Sequence, residues 1–118
     1  MLFVNYPKCS TCRKAKKWLD EHDIEYESKH IVEDNPTAEE LRAWWEISDL
    51  PLKSFFNTSG MKYRELKLKD QLPDMSHDEQ LNLLASDGML VKRPIIISDN
   101  SVLIGFKENK WIEELLNK

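Results

Sequence analysis

The spacing of hydrophobic residues predicts a strand, a helix and a second strand in the first third of the chain. The apolar run at residues 2–4 is typical of a buried strand, and Pro7 ends it. Residues 13–19 combine basic and apolar side chains in a helical pattern. Partial alternation over residues 24–31 indicates another strand. The chain therefore opens with a strand–helix–strand unit.

Amphipathic helical patterns fill the middle of the chain. Thr37 and Glu40 have the spacing of a capping box, in which each side chain binds a backbone N–H at the start of a helix. Further helical patterns occur around residues 66–69 and over residues 76–85. We therefore predict an all-helical segment at approximately residues 37–87.

The last third of the chain predicts a hairpin followed by a helix. The β-branched run at residues 95–97 is typical of a central strand, residues 99–100 predict a tight turn, and residues 101–105 predict the returning strand. Residues 110–116 have an amphipathic helical pattern. The order predicts one α/β domain over residues 1–118 with a thioredoxin-like (glutaredoxin-like) fold. In this fold a helical insertion separates the βαβ and ββα halves, and the mixed sheet has four strands.

Composition narrows the classes of function. The 118 residues carry a net charge of −4, with acidic and basic side chains mixed along the chain. Direct nucleic-acid binding, which needs a concentrated basic face, is therefore not expected. No apolar run approaches the roughly 20 residues of a membrane span, and no signal peptide is visible at the N-terminus. We expect a cytoplasmic protein without a membrane partner.

The strongest chemical signal is a pair of cysteines, Cys9 and Cys12, at the predicted start of the first helix. Ser10 and Thr11 between them are suitable N-cap residues. A helix N-terminus favours a thiolate, and a C-x-x-C motif between a strand and a helix is typical of redox proteins. A structural disulfide, a metal site and inert packing of the two thiols are the alternatives. A zinc site needs four ligands. The only histidines are His22, His30 and His77, and they show no paired spacing, so we expect no metal.

Five segments together resemble the arsenate reductase and Spx group of thioredoxin-fold proteins. The resemblance covers nearly the whole chain and rests on residues 6–15, 57–60, 63–64, 92–95 and 105–106.

The resemblance implies a role for each matching residue. Cys9 would be the nucleophile that attacks an arsenic oxyanion, and Arg64 and Arg93 would hold that oxyanion. Cys12 would be the resolving thiol. No cofactor would be bound, and glutathione with glutaredoxin, or thioredoxin, would supply electrons.

Four further residues would support the site. Lys8 would add positive charge beside the thiolate, and Ser10 and Thr11 would cap the helix. Pro94 matches the position of a cis-proline that faces the cysteine motif in thioredoxin-like folds.

Two functions follow from the resemblance. The first is a thiol-disulfide oxidoreductase similar to arsenate reductases, acting on a small oxyanion or a thiol/disulfide substrate with a redox partner protein. Gly105 occupies the place of a third arginine, and Lys107 lies close by. The second is a Spx-like redox-sensing regulator that binds the RNA polymerase α subunit. The glycine that Spx-type chains carry in the central helices is absent from residues 46–56.

Overall fold

The computed structural model describes residues 1–99 and 101–116, and its centre is a four-stranded sheet. The strands lie in the order β2-β1-β3-β4. β1 pairs in parallel with β2 and antiparallel with β3, and β3 pairs antiparallel with β4. This arrangement confirms the predicted mixed sheet, whose strands are β1 (Leu2–Asn5), β2 (Glu27–His30), β3 (Ile95–Ile97) and β4 (Val102–Ile104).

Both faces of the sheet are buried. Neighbouring residues in a strand point to opposite sides, so each strand contributes to a core on each face. Val4 of β1 and Ile95 of β3 contribute to one hydrophobic core, which the helical insertion covers. Phe3 and Ile96, the next residues in the same strands, contribute to the other core. That second core includes side chains from the two helices that flank the sheet, α1 (Ser10–Glu21) and α6 (Glu108–Trp111).

The predicted helical insertion between β2 and β3 is confirmed. Its four α-helices are α2 (Ala38–Ser48), α3 (Met61–Glu65), α4 (Leu68–Gln71) and α5 (His77–Ser86). Short 3-10 turns join them, one of which buries Phe55. α2 and α5 both begin at a complete capping box, and the box that starts α2 is the one predicted from Thr37 and Glu40.

Two elements differ in extent from the prediction. β2 begins at Glu27 rather than at residue 24, because Ile24 and Tyr26 pack against the core beneath α1 before the chain joins the sheet. The last helix begins at Glu108 and widens into a π-helical turn over Ile112–Leu116. The predicted turn at residues 99–100 includes Asn100, which lies outside the described residues. Within those residues, no helix is long and apolar enough to cross a membrane.

Candidate active site

Cys9 is the N-cap of α1, which corrects the prediction that Ser10 and Thr11 cap this helix. Its backbone is extended (φ −87°, ψ 121°), and its carbonyl accepts the hydrogen bond from Arg13 N–H at 3.0 Å. Helical hydrogen bonding therefore starts one residue earlier than predicted. Ser10 and Thr11 become the first two helical residues, and their side chains are exposed.

The environment of Cys9 favours its thiolate. Partial burial raises the pKa of the Cys9 thiol. This effect is outweighed by groups that lower the pKa, namely the backbone N–H and thiol of Cys12, the backbone N–H of Thr11 and the Arg93 charge. The net result is a pKa below the ordinary value of 9.0. These two N–H groups favour the thiolate by their proximity to the sulfur, since neither makes a capping hydrogen bond to the Cys9 side chain. The partly exposed Cys9 sulfur therefore has more thiolate character than the buried Cys12 sulfur.

Cys12 has the opposite environment. Burial is the main cause that raises the pKa of its thiol to about 12, and the neighbouring Cys9 sulfur adds to the increase. Tyr6 N–H approaches the Cys12 sulfur at 3.5 Å and, together with the Arg93 charge, opposes part of this effect. Both thiols are free. Cys12 is thus a buried thiol that stays protonated at neutral pH.

Arg93 is held in place by contacts that the sequence did not indicate. Its Nη1 donates to the carbonyls of Met89 and Val91, each at 3.2 Å. The guanidinium carbon lies 5.4 Å from the centre of the Tyr6 ring, which is within the range of a cation–π contact. These contacts fix a positive charge near Cys9. The available sequence signal was the position of Tyr6 itself, an aromatic residue directly before Pro7 and three residues before Cys9.

The other predicted site residues differ in their exposure and in the contacts that they make. The Arg93–Pro94 peptide bond is cis, as the resemblance implied. Lys8 is exposed beside Cys9 in sequence. Arg64 lies on α3 with an exposed side chain that makes no hydrogen bond or ion pair within the described part of the chain. The structure therefore brings Arg93 to Cys9, whereas it leaves Arg64 on the insertion without such a contact.

A cleft of about 690 Å³ opens beside Thr11 and Arg93. Four basic side chains from three separate segments line it: Lys53, Lys92, Arg93 and Lys107. The Phe56 and Phe106 rings and the Ser54 and Thr58 hydroxyls complete the lining. Sequence reasoning had singled out Arg93 and Lys107 but had missed Lys53. Among the described residues, no group of three or more His, Cys, Asp or Glu side chains is placed to hold a metal ion.

The sheet, the helical insertion and the cysteine pair at the start of α1 define a thioredoxin-like protein. The sequence model of the ArsC family matches residues 4–114, and the chain belongs to this family. The resemblance drawn from the five sequence segments is therefore confirmed.

Relatives of known sequence include an uncharacterized protein and a transcriptional regulator named Spx. The chain is 60% identical over 113 residues to the uncharacterized protein YusI of Bacillus subtilis, and the alignment covers 96% of each chain. It is 30% identical over 105 residues to the global transcriptional regulator Spx of Staphylococcus epidermidis, with 88% of this chain and 78% of that one covered.

Solved structures confirm the fold. A protein of Bacteroides fragilis described as related to the ArsC family is 57% identical, with a TM-score of 0.92 over 95% of this chain and 94% of that one. A protein of Streptococcus mutans described as a possible arsenate reductase is 50% identical, with a TM-score of 0.84 over 90% of both chains.

Proposed function

We propose that this protein is a thiol-disulfide oxidoreductase in which Cys9 is the nucleophile and Cys12 is the resolving thiol. The observation that carries the proposal is the difference in placement of the two thiols: Cys9 is partly exposed at the N-cap of α1, and Cys12 is buried. A partly exposed thiol with a lowered pKa stands in front of a buried thiol whose pKa is raised to about 12. This difference separates the attacking role from the resolving role.

The reaction proceeds in two exchanges. The Cys9 thiolate attacks one sulfur of a substrate disulfide, forms a mixed disulfide and releases the other substrate sulfur as a thiolate. Cys12 then attacks the Cys9 sulfur and its proton passes to the second substrate sulfur, which leaves as a thiol, so that a Cys9–Cys12 disulfide remains. The mixed disulfide removes the negative charge of Cys9, which is one of the causes that raise the Cys12 pKa. The first exchange therefore makes Cys12 easier to deprotonate for the second.

The oxidised pair needs two electrons to return to the dithiol. We propose glutathione with glutaredoxin, or thioredoxin, as the source of these electrons. This cycle fits the reducing cytoplasm, where a vicinal cysteine pair is more commonly catalytic than structural.

Single-turnover reduction of a model disulfide tests the assignment. Cys9→Ser should abolish the reaction, because the attacking sulfur is gone. Cys12→Ser should stop it at the mixed disulfide, which intact-mass measurement detects on Cys9. If the mixed disulfide instead forms on Cys12 in Cys9→Ser at the wild-type rate, the assigned roles are wrong.

Arsenate is the specific substrate that family membership suggests, and we propose that Arg93 and Arg64 hold its oxygens. Arg93 retains guanidinium nitrogens that make no hydrogen bond within the described residues, because only Nη1 binds the two carbonyls. Arg93→Ala and Arg64→Ala should each lower kcat/KM for arsenate by roughly ten- to a hundredfold, as expected for a lost charge-assisted hydrogen bond. An unchanged kcat/KM in Arg64→Ala would remove Arg64 from the site.

A redox-sensing regulator is the second candidate, and the relative named Spx favours it. In this proposal the Cys9–Cys12 pair is a switch and the partner is the RNA polymerase α subunit. Binding of the purified α subunit to the oxidised and reduced chain tests it. A complex that forms in one redox state would support the regulator, and no binding in either state would exclude it.

A further inference from the structure

The cleft beside Thr11 and Arg93 has a charge opposite to that of the whole chain. The net charge of the protein is −4, yet the residues that line the cleft include four basic side chains and no carboxylate. Lys53 and Lys107 are exposed, and Lys92 is half-buried. A concentration of one sign of charge in a concave site selects ligands of the other sign and accelerates their binding.

The four basic residues come from three different segments. Lys53 lies between α2 and α3, Lys92 and Arg93 precede β3, and Lys107 precedes α6. A single tetrahedral oxyanion fills only a small part of a cleft of about 690 Å³, a size found in pockets for much larger ligands. A ligand that uses all three segments needs several carboxylates distributed along its length.

The cleft walls could also contact the uncharged main chain and the apolar side chains of a bound polypeptide. Phe56, Ile104 and Phe106 provide apolar surface, and the Ser54 and Thr58 hydroxyls provide polar contacts. Gly105 adds no side chain to the cleft wall, and the space beside it is open. The nearest atom to an added β-carbon would be Lys92 Cε at 3.7 Å.

We propose that this cleft binds an acidic polypeptide segment and presents an adjacent cysteine of that segment to Cys9. The inference rests on the proposed thiol chemistry and names its substrate class, a disulfide in a protein with acidic residues beside the cysteine. Thr11 and Arg93 link the two sites, because both line the cleft and both lower the pKa of Cys9.

Binding can be measured independently of the redox chemistry. The probe is a fluorescent twelve-residue peptide with four glutamates, compared with the same peptide carrying glutamines, on the full chain with Cys9→Ser and Cys12→Ser. The acidic peptide should bind about tenfold tighter at low salt, and the difference should shrink at 0.5 M NaCl, where charges are screened. Equal binding of the two peptides would overturn the proposal.

Substitutions locate the binding surface. Lys53→Gln, Lys92→Gln and Lys107→Gln should each weaken binding of the acidic peptide about two- to fivefold, the range for single exposed charge pairs. Lys69→Gln removes an exposed lysine of α4 outside the cleft and serves as the matched control. An equal loss in Lys69→Gln would show that the attraction is not specific to the cleft.

Reduction assays on the wild type separate this inference from the proposed function. Acidic peptide disulfides should be reduced with a kcat/KM about tenfold above that of the glutamine version, through KM rather than kcat. Equal reduction of both would overturn the inference and leave the oxidoreductase intact, whereas reduction of neither would contradict the oxidoreductase. If glutathione disulfide displaces the acidic peptide from the Cys9→Ser, Cys12→Ser chain at equal concentration, a small ligand fills the cleft and the polypeptide proposal is wrong.

Discussion

Cys9 and Cys12 lie three residues apart on one helical turn, yet their surroundings move their pKa values in opposite directions. Cys9 is partly exposed at the N-cap, where backbone N–H groups and the Arg93 charge favour the thiolate. Cys12 points into the protein, where burial favours the neutral thiol. A single turn of helix therefore separates a reactive sulfur from a protected one.

The first prediction follows from these directions. The iodoacetamide alkylation rate of Cys9 should rise with pH, because the rate follows the thiolate fraction. The midpoint of this rise, which is the Cys9 pKa, should lie below 9.0. Cys12 should react at least about tenfold more slowly at pH 7, since its pKa is about 12 and its sulfur is buried. Peptide mapping after timed alkylation measures both rates. A Cys9 that titrates at 9.0 or above would contradict the electrostatic description of the site.

The second prediction concerns Tyr6, whose ring lies against the Arg93 guanidinium. Tyr6→Leu removes the ring, weakens the placement of the positive charge and should raise the Cys9 pKa. Tyr6→Phe is the matched control, because it keeps the ring and should leave the Cys9 pKa near the wild-type value. The alkylation profile of Cys9 reports the change, and an identical profile in both variants would show that the Met89 and Val91 carbonyls hold Arg93 without the ring.

At this scale the sequence placed Cys9 at a helix start, but it did not indicate the contacts that surround the thiol. The position of Cys9 at a helix start is a local property, so neighbouring residues were enough to predict it. Tyr6, Met89 and Val91 reach Arg93 only through the folded chain. The N-cap was misplaced because Ser10 and Thr11 are better cap formers than cysteine, and local preference did not decide where the helix begins.

The helical insertion is joined to the sheet by a close backbone contact. Gly88, two residues after α5, lies so near the end of β2 that an added β-carbon would sit 2.0 Å from the Ile31 carbonyl oxygen. A glycine shortly after a helix is typical of a helix stop, which accounts for the place of Gly88 but not for this contact. A side chain at residue 88 would have to displace backbone on one side or the other.

The third prediction tests that contact. Gly88→Ala should lower the free energy of unfolding by about 1–3 kcal/mol, the usual cost of forcing an extra group into a packed region. Gly60→Ala is the control, because an added β-carbon there would mainly meet the Asn57 side-chain amide, which can rotate away. Its loss should stay within about 1 kcal/mol. Urea denaturation measures both variants, and an equal loss would indicate that Gly88 is not specially constrained.

Element boundaries were predicted best where the signal lies within one turn of helix. The Thr37–Glu40 capping box is satisfied by residues three apart, so its sequence pattern is sufficient. β2 was predicted too long because Ile24 and Tyr26 look like strand residues but serve the core beneath α1. Alternation alone does not distinguish a residue in a sheet from one that packs beside it.

For the whole molecule, the fold concentrates positive charge at one place in an acidic protein. The start of α1, the segment before β3 and the segment before α6 meet at the Cys9 end of the sheet, and Lys92 and Lys107 lie on the last two of these segments. The fold class could be predicted from element order, whereas Lys53 joins the cleft only through tertiary packing. The two proposed chemistries, on arsenate and on a disulfide, would use the same Cys9 thiolate and would differ in the ligand that the cleft must hold.

The last prediction separates these two chemistries at Gly105, where the resemblance places a third oxyanion-binding arginine. Gly105 has φ +75°, so any side chain there costs roughly 1–2 kcal/mol of backbone energy. Its β-carbon position is otherwise open, with Lys92 Cε at 3.7 Å. If arsenate turnover is limited by a missing guanidinium, Gly105→Arg should raise kcat/KM for arsenate, whereas Gly105→Gln, with the same backbone cost and no charge, should not. Arsenate-dependent thiol oxidation with glutathione and glutaredoxin, and then with thioredoxin, measures both variants against the wild type. Absence of arsenate reduction in the wild type and in Gly105→Arg with either reductant, alongside normal reduction of a peptide disulfide, would rule out arsenate as the substrate and retain the Cys9–Cys12 oxidoreductase.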